Sequence, residues 1–200
     1  MIELSSFPKD FQDCVLFHGH VCPGLAIGYT AAKAGSAALK LIPSQDEEVV
    51  AIVDNDSCAV DAIQVLLKCT FGKGNLIFRD WGKQVFTFID RKTHRAVRVS
   101  FIGTVPLRDE RHALKKKIDS GQATEADMKT WEQLRTTAVH ELILSDSREL
   151  FDIREVEVEA PPVAAIVETR PCALCGELTV SDRLVEKRGQ KICLGCAAAF

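Results

Sequence analysis

The feature that most restricts this chain lies near its end. Cys172-x2-Cys175 is followed by seventeen residues and then Cys193-x2-Cys196. Each CxxC can fold into a tight turn that offers two sulfurs to adjacent corners of one tetrahedron, and this spacing is that of a tetrathiolate zinc site. Gly176 and Gly195 permit such turns. A segment this short cannot build a core of its own, so a bound metal would supply its folding energy. Two disulfides or reactive thiols are the competing use of the same residues. The pairing favours structural zinc held by Cys172, Cys175, Cys193 and Cys196. The chain is therefore expected to divide into a core domain over residues 1–165 and a four-cysteine zinc finger over 166–200.

The remaining 165 or so residues suit one ordinary domain. Hydrophobic content of 46% is enough for a real core, and a net charge of −3 gives no general drive toward nucleic acid or an anionic membrane. Basic residues in the tail (Arg183, Lys187, Arg188, Lys191) are offset by Glu177, Asp182 and Glu186, which disfavours nucleic acid as its partner. The opening segment to Cys14 lacks the apolar stretch of a secretory leader, and no apolar run approaches the roughly 18 residues of a membrane span. A soluble, cytoplasmic protein with reduced thiols is expected. Of its eight cysteines, the four outside the tail must then be explained as thiols.

Two of these fall at helix starts. Phe17-His18-Gly19-His20-Val21-Cys22-Pro23-Gly24 packs two imidazoles, one thiol and a helix-start signal into eight residues. Pro23 suits a first helical turn, and the Ala- and Leu-rich run after it predicts a helix over about 23–41. Cys22 should then sit at a helix N-terminus, where free N–H groups and the helix dipole favour a thiolate. Small residues at Gly24, Gly28, Ala31, Ala32 and Gly35 read as close packing against a neighbour. A preceding helix over 8–17, with Phe7, Phe11, Cys14 and Val15 on one face, delivers His18 and His20 to the same place.

Val49 to Val53 is a β-branched run that reads as a buried strand. It ends in Asp54-Asn55-Asp56-Ser57-Cys58, with Ser57 or Asp56 available to cap a helix over 59–69. Cys58 thus repeats the placement of Cys22, at the carboxyl end of a sheet where sites are commonly built. Cys22 and Cys58 are expected to converge there with His18 and His20. Asp61, one turn on, can orient a ligand or pair with the helix dipole. Three chemistries are open to this set. A transition metal could be bound by His20, Cys22 and Cys58; Cys22 and Cys58 could form a disulfide switch; or Cys58 could act as nucleophile with His20 as base. Cys14 and Cys69 read as buried small hydrophobes, and His94, His112 and His140 as surface residues.

Segments 76–78, 85–89 and 96–101 predict three strands, the last two forming a hairpin around Thr93-His94. The class is α+β, with a mixed or antiparallel sheet packed by helices. Phe71 to Asn75 is a turn without the spacing of a phosphate loop. Residues 107–151 are charged and helical, broken at Ser120-Gly121. Thr124 to Asp127 resembles a capping box ahead of an apolar face at Met128, Trp131, Leu134, Ala138 and Leu142, a candidate homodimer contact. Lys115-Lys116-Lys117 reads as a solvated face. Trp81, between Arg79 and Lys83, either lines an anion pocket or marks an ordinary strand end. Residues 152–168 predict an edge strand leading into a linker.

His18-Gly19-His20-Val21-Cys22-Pro23-Gly24, Asn55-Asp56-Ser57-Cys58-Ala59-Val60-Asp61-Ala62 and Gly72-Lys73-Gly74-Asn75 together resemble the FmdE family, which takes its name from formylmethanofuran dehydrogenase. The likeness extends over most of residues 11–155. The resemblance implies an α+β core with a cleft at His18, His20, Cys22 and Cys58. It also implies, for some members, a C-terminal treble-clef zinc finger; residues 172–196 further resemble the DksA/TraR type of finger. The function expected is a metal-binding protein, redox-active or an accessory component, linked to molybdenum- or tungsten-dependent one-carbon chemistry. The alternative is a binding or regulatory module whose finger docks a protein partner and whose core senses metal or thiol redox state.

Overall fold

The computed structural model describes residues 4–199; the first three residues of the charged opening segment lie outside them. The chain divides into two compact units, one ending at Pro162 and one beginning at Val163. In the first unit, α1 (Lys9–His18) and α2 (Pro23–Leu39) are followed by β1 (Val49–Val53), α3 (Ala59–Leu67) and β2 (Leu76–Phe78). Then come β3 (Val85–Asp90), β4 (Arg95–Phe101), α4 (Arg108–Asp119), α5 (Glu125–Leu144), the short α6 (Ser147–Leu150) and β5 (Phe151–Val156).

The five strands form one sheet in the order β2-β1-β3-β4-β5. β1 and β2 run parallel, as a β–α–β connection through α3 requires. The other three pairings are antiparallel, with Val53 opposite Phe86, Phe88 opposite Val97 and Phe101 opposite Phe151. The sheet is therefore mixed, and the α+β reading holds. β1 lies between β2 and β3 and all five of its residues are buried. Asn75 fastens its start: the amide nitrogen donates to the Val49 carbonyl at 2.8 Å, and the amide oxygen accepts from the Thr70 N–H at 2.9 Å. The Gly72-Lys73-Gly74-Asn75 turn is thus a clamp on the sheet.

One face of the sheet carries the main core. Phe86, Phe88, Val97 and Val99 pack with Phe11, Leu25, Ile63, Leu67 and Leu142. Full burial of each such side chain stabilises the fold by about 1.5–3 kcal/mol. The other face holds a smaller cluster of Val50, Ile52, Ile89 and Ala96, against which Val156, Val158 and Ala160 pack. β5 is an edge strand, and the chain beyond it folds back over this face. Among the described residues no helix is long and apolar enough to cross a membrane.

α2 is the central helix, with twelve of its seventeen residues buried. It meets α3 at Gly28. A Cβ on Gly28 would stand 2.0 Å from the Ala59 carbonyl oxygen and 2.5 Å from its Cα, so only glycine allows the two backbones this approach. The small-residue run therefore serves helix–helix contact as well as the helix–sheet packing the sequence suggests. α2 stops earlier than the pattern implies: Lys40 adopts φ 57° and caps it, three residues before Pro43. α3 likewise ends at a left-handed Lys68.

α5 opens with a reciprocal capping box: Thr124 Oγ1 accepts from the Asp127 N–H, and the Asp127 carboxylate accepts from the Thr124 N–H. Its predicted apolar face fails only at its first position, since Trp131 and Leu134 are half-buried. Ala138, Val139 and Leu142 are buried, whereas Met128 is exposed. α4 buries no residue fully; Arg111, Leu114 and Ile118 form its half-buried stripe. The lysine run is solvated as read, with Lys115 paired to Asp119 and Lys117 to Asp127 at 3.3 Å. His140 departs from the surface reading: it is half-buried and stacked on Phe7, centroids 4.2 Å apart.

The second unit holds a hairpin of β6 (Thr169–Pro171) and β7 (Leu178–Val180), a hairpin of β8 (Leu184–Lys187) and β9 (Gln190–Cys193), and α7 (Leu194–Ala198). Among its described apolar side chains, only Cys172 and Ile192 are buried. That leaves too little apolar burial to hold it without another constraint.

Candidate metal centres

The four tail cysteines come together. One ligand atom from each of Cys172, Cys175, Cys193 and Cys196 lies within 4.8 Å of all the others. The Cys175 and Cys193 sulfurs are 4.0 Å apart. A tetrahedron with metal–sulfur bonds of about 2.3 Å has edges of about 3.8 Å, so the donor set fits. Backbone N–H groups point at the sulfurs, from Cys193 to Cys172 at 3.2 Å and from Cys196 to Cys193 at 3.4 Å. Donation from the Cys175, Cys193 and Leu174 N–H groups holds the Cys172 thiol down, at about 6. Cys196, crowded by the other three sulfurs, is pushed up to about 12. One sulfur held down beside two, Cys175 and Cys196, pushed up is an arrangement a cation relieves, because it favours the ionised form of each ligand. The cluster can therefore hold a metal ion such as zinc.

The second constellation sits at the edge of the first unit's core, with His20 exposed and His18 and Cys22 half-buried. α1 ends at His18, Gly19 takes φ 93°, and α2 begins at Pro23 with Cys22 as its N-cap. In this bend the ligand atoms of His18, His20 and Cys22 all lie within 4.8 Å of one another. The His18 Nε2 is 3.7 Å from the Cys22 sulfur, and the two imidazole centroids are 4.3 Å apart. Nδ1 of His18 donates to Asp61 Oδ2 at 2.7 Å. This fixes the tautomer and leaves Nε2 bare toward the sulfur, as a metal-binding imidazole requires. The donor types, two imidazoles and a thiol, suit a borderline-soft transition metal.

Cys58 reaches the same place from β1. Asn55 shapes the intervening turn, its side-chain oxygen accepting from the Ser57 N–H at 3.0 Å and from Ser57 Oγ at 2.6 Å. A Cβ on Gly24 would touch both sulfurs, Cys58 at 3.7 Å and Cys22 at 3.9 Å. The two thiols are thus neighbours over the starts of α2 and α3. Cys58 stands beside the His18–His20–Cys22 triad and is not one of its three mutually close donors. Of the two imidazoles, His18 is the one in hydrogen-bond contact with the Cys22 thiol, and His20 also lies within 4.8 Å of that sulfur.

At Cys22 two influences oppose each other, the helix start favouring a thiolate and burial a thiol. The Leu25 N–H does donate to the sulfur at 3.4 Å. Burial and the adjacent Cys58 thiol nevertheless outweigh it and push Cys22 up to about 11. His20 is pushed down by burial, then by His18 and Arg135. Cys14 and Cys69 are wholly buried and are both pushed up to about 12 by desolvation, which fits their reading as apolar packing. Trp81 is 57% exposed, with Arg79 and Lys83 over its ring at 5.2 and 5.5 Å, a solvated stack at a strand end.

Two residues near this site escape a reading based on His and Cys. Arg135 occupies the buried stripe of α5, three residues before Ala138 and seven before Leu142. Arg111 lies on the half-buried stripe of α4. A cation at an apolar register position is the sequence signal that could have found both.

The fold and its two donor clusters define an α+β protein with a His/Cys centre in its core and a separate four-cysteine unit. The sequence model of the family described as FmdE, Molybdenum formylmethanofuran dehydrogenase operon, matches residues 17–152, and the chain belongs to this family. It is 32% identical over 197 residues to a protein of Archaeoglobus fulgidus named "Probable S-adenosyl-L-methionine-binding protein". That match takes in 92% of this chain and 51% of the relative, so the chain spans about half the length of the curated relative it matches. The crystal structure of a tungsten formylmethanofuran dehydrogenase FmdE-like protein from Syntrophus aciditrophicus shares the fold. It superposes with a TM-score of 0.60 at 22% identity, over 94% of this chain and 90% of that one.

Proposed function

We propose that this protein is a metal-binding accessory protein with two separate centres. Cys172, Cys175, Cys193 and Cys196 hold a structural zinc. His18, His20 and Cys22, with Cys58 adjacent, hold a second transition metal that does the chemical work. The observation that carries this is the convergence of His18, His20 and Cys22 with a carboxylate, Asp61, behind the first imidazole. Three protein donors leave a coordination position open, as in catalytic sites, whereas four thiolates close it. A bound metal would supply Lewis acidity or redox capacity there. The chain's own residues orient the donors and keep the centre partly dry. The link to molybdenum- or tungsten-dependent one-carbon chemistry rests on the family alone.

The second hairpin followed by a short helix supports a treble-clef reading of the tail, and we assign that unit to docking a cytoplasmic protein partner. α5 is assigned to a homodimer contact. Elemental analysis and anomalous scattering at metal edges on untreated protein test the proposal. Zinc in the tail plus a second metal lost in Cys22→Ser is the expected result. Zinc in the tail alone would overturn the core centre, and a monomer mass by light scattering would overturn the dimer.

The contact between Cys22 and Cys58 favours a second reading, a redox sensor. The two thiols would join as a disulfide, passing two electrons and two protons to a small-molecule disulfide oxidant. A linked peptide containing both residues in a digest of oxidised protein supports this reading, and its absence removes it.

A further inference from the structure

Cys58 is a thiol that neither packing nor the donor set accounts for. Cys14 and Cys69 are buried, whereas Cys22 and Cys58 keep some surface, so of the first unit's thiols these two are open to a dissolved reagent. Cys22 belongs to the triad and also caps α2, its sulfur accepting from the Leu25 N–H. Cys58 stands at the start of α3, and its sulfur makes no capping bond there. The same first turn of α3 carries Asp61, which holds His18.

Gly24 keeps the space beside both sulfurs free of side chain. A Cβ at that position would stand 3.1 Å from the Cys58 Cβ, 3.7 Å from the Cys58 sulfur and 3.9 Å from the Cys22 sulfur. Gly28 lets the two helices behind them meet main chain to main chain. A disulfide needs its cysteines brought together by the backbone, and the two glycines do that here. Metal and disulfide both require the Cys22 sulfur, one as a thiolate ligand and the other as a bonding partner, so each excludes the other.

We propose that Cys58 is a redox gate on the His18–His20–Cys22 centre: its oxidation draws Cys22 into a disulfide and releases the metal. This regulation rests on the reading of the triad as a metal centre. In the first step Cys58 gives its proton to solvent and its sulfur attacks a small-molecule disulfide. A mixed S–S bond forms, the oxidant's own S–S bond breaks and one thiolate leaves. In the second step the Cys22 sulfur attacks the Cys58 sulfur. Its bond to the metal gives way to the new S–S bond, and the second thiolate leaves. Two electrons pass from the protein's sulfurs to the oxidant, and the metal departs in its original oxidation state. His18 and His20 remain, two neutral donors in place of three that included a thiolate.

The full chain, reduced and otherwise as purified, is treated with oxidised glutathione. Two quantities are read from each sample. One is the fraction of chains that yield a linked Cys22–Cys58 peptide on digestion. The other is core metal, counted as the excess over an identically treated Cys22→Ser chain, so that events in the tail cancel. One core metal should be lost for each linkage formed. Cys58→Ser should load core metal normally, since Cys58 is outside the close donor set, and should lose it to the oxidant about tenfold more slowly or less. Core metal retained in chains that carry the linkage, no linkage at all, or undiminished release from Cys58→Ser would each overturn the gate and leave the metal centre standing. A reduced chain without core metal would sink the metal reading and the gate together, whether or not the linkage forms. If Cys58→Ser fails to fold or to load, the paired count on the parent chain still decides.

Discussion

His18 and Asp61, forty-three positions apart, share a 2.7 Å hydrogen bond that spans from the end of α1 to the first turn of α3. The carboxylate is also held by Gln64. The bond turns the opposite nitrogen of the imidazole toward Cys22. A group that holds a ligand by its far side is worth about 10–100-fold in metal affinity. Asp61→Asn should weaken core-metal binding by about that factor and leave the tail metal untouched. Competition against a graded series of chelators, with both metals counted, checks it.

The tail should depend on its metal and the core should not. Cys172→Ser removes the thiol that ionises most readily and one corner of the tetrahedron. Amide resonances of residues 163–199 should collapse to the narrow range of unfolded chain, while those of the sheet keep their positions. Two-dimensional NMR of the variant, and of the parent after chelation, measures this directly.

Gly28→Ala should be among the costliest single changes available. The added carbon would stand 2.0 Å from the Ala59 carbonyl oxygen, and backbone cannot step aside as a side chain can. A loss of about 3 kcal/mol is expected, at the upper end for overpacking. Urea denaturation gives the figure. Because α2 and α3 carry Cys22 and Cys58 at their starts, the variant should also lose cross-linking of those thiols by a short bifunctional reagent.

Alkaline pH should destabilise the core through its buried thiols. Cys14 and Cys69 titrate at about 12 and Cys22 at about 11 when folded, raised by desolvation. In the unfolded chain a cysteine titrates at about 8.5. Between these values the unfolded state releases protons that the folded state keeps, so stability falls as pH rises. The stabilisation is fully present below about pH 8 and declines from there up to about pH 12. Metal-free protein should show a urea midpoint dropping over that window, and Cys14→Ala/Cys69→Ala should drop less steeply.

Local signals make much of this molecule readable in one dimension. β1 announces itself through five β-branched or small apolar residues in a row, and α2 through Pro23 and the alanine-rich stretch. The tail is explicit in its cysteine spacing. Convergence of Cys22 with Cys58 is suggested by two helix starts, one after α1 and one after β1. What stays hidden depends on partners distant in sequence. The fate of the Cys22 proton turns on burial and on the nearby Cys58 thiol, which no spacing shows. Which imidazole reaches the sulfur turns on the bend at Gly19. Membership of Cys58 in the metal set follows from residue type alone, whereas the donor set depends on angles. Arg111 and Arg135 escape notice because charged residues on amphipathic helices are usually solvated, and only α4 against α5 shows them turned inward.

The seam where Gly28 meets Ala59 also acts as a gauge. Cys22 and Cys58 are borne on short side chains at the origins of two helices whose separation is fixed by main chain touching main chain. Long, pliant side chains could span gaps of many widths; these cannot. Anything that came to join the two sulfurs could not lengthen without levering the rods apart against the whole interior, so the scaffold limits the span of such a bridge.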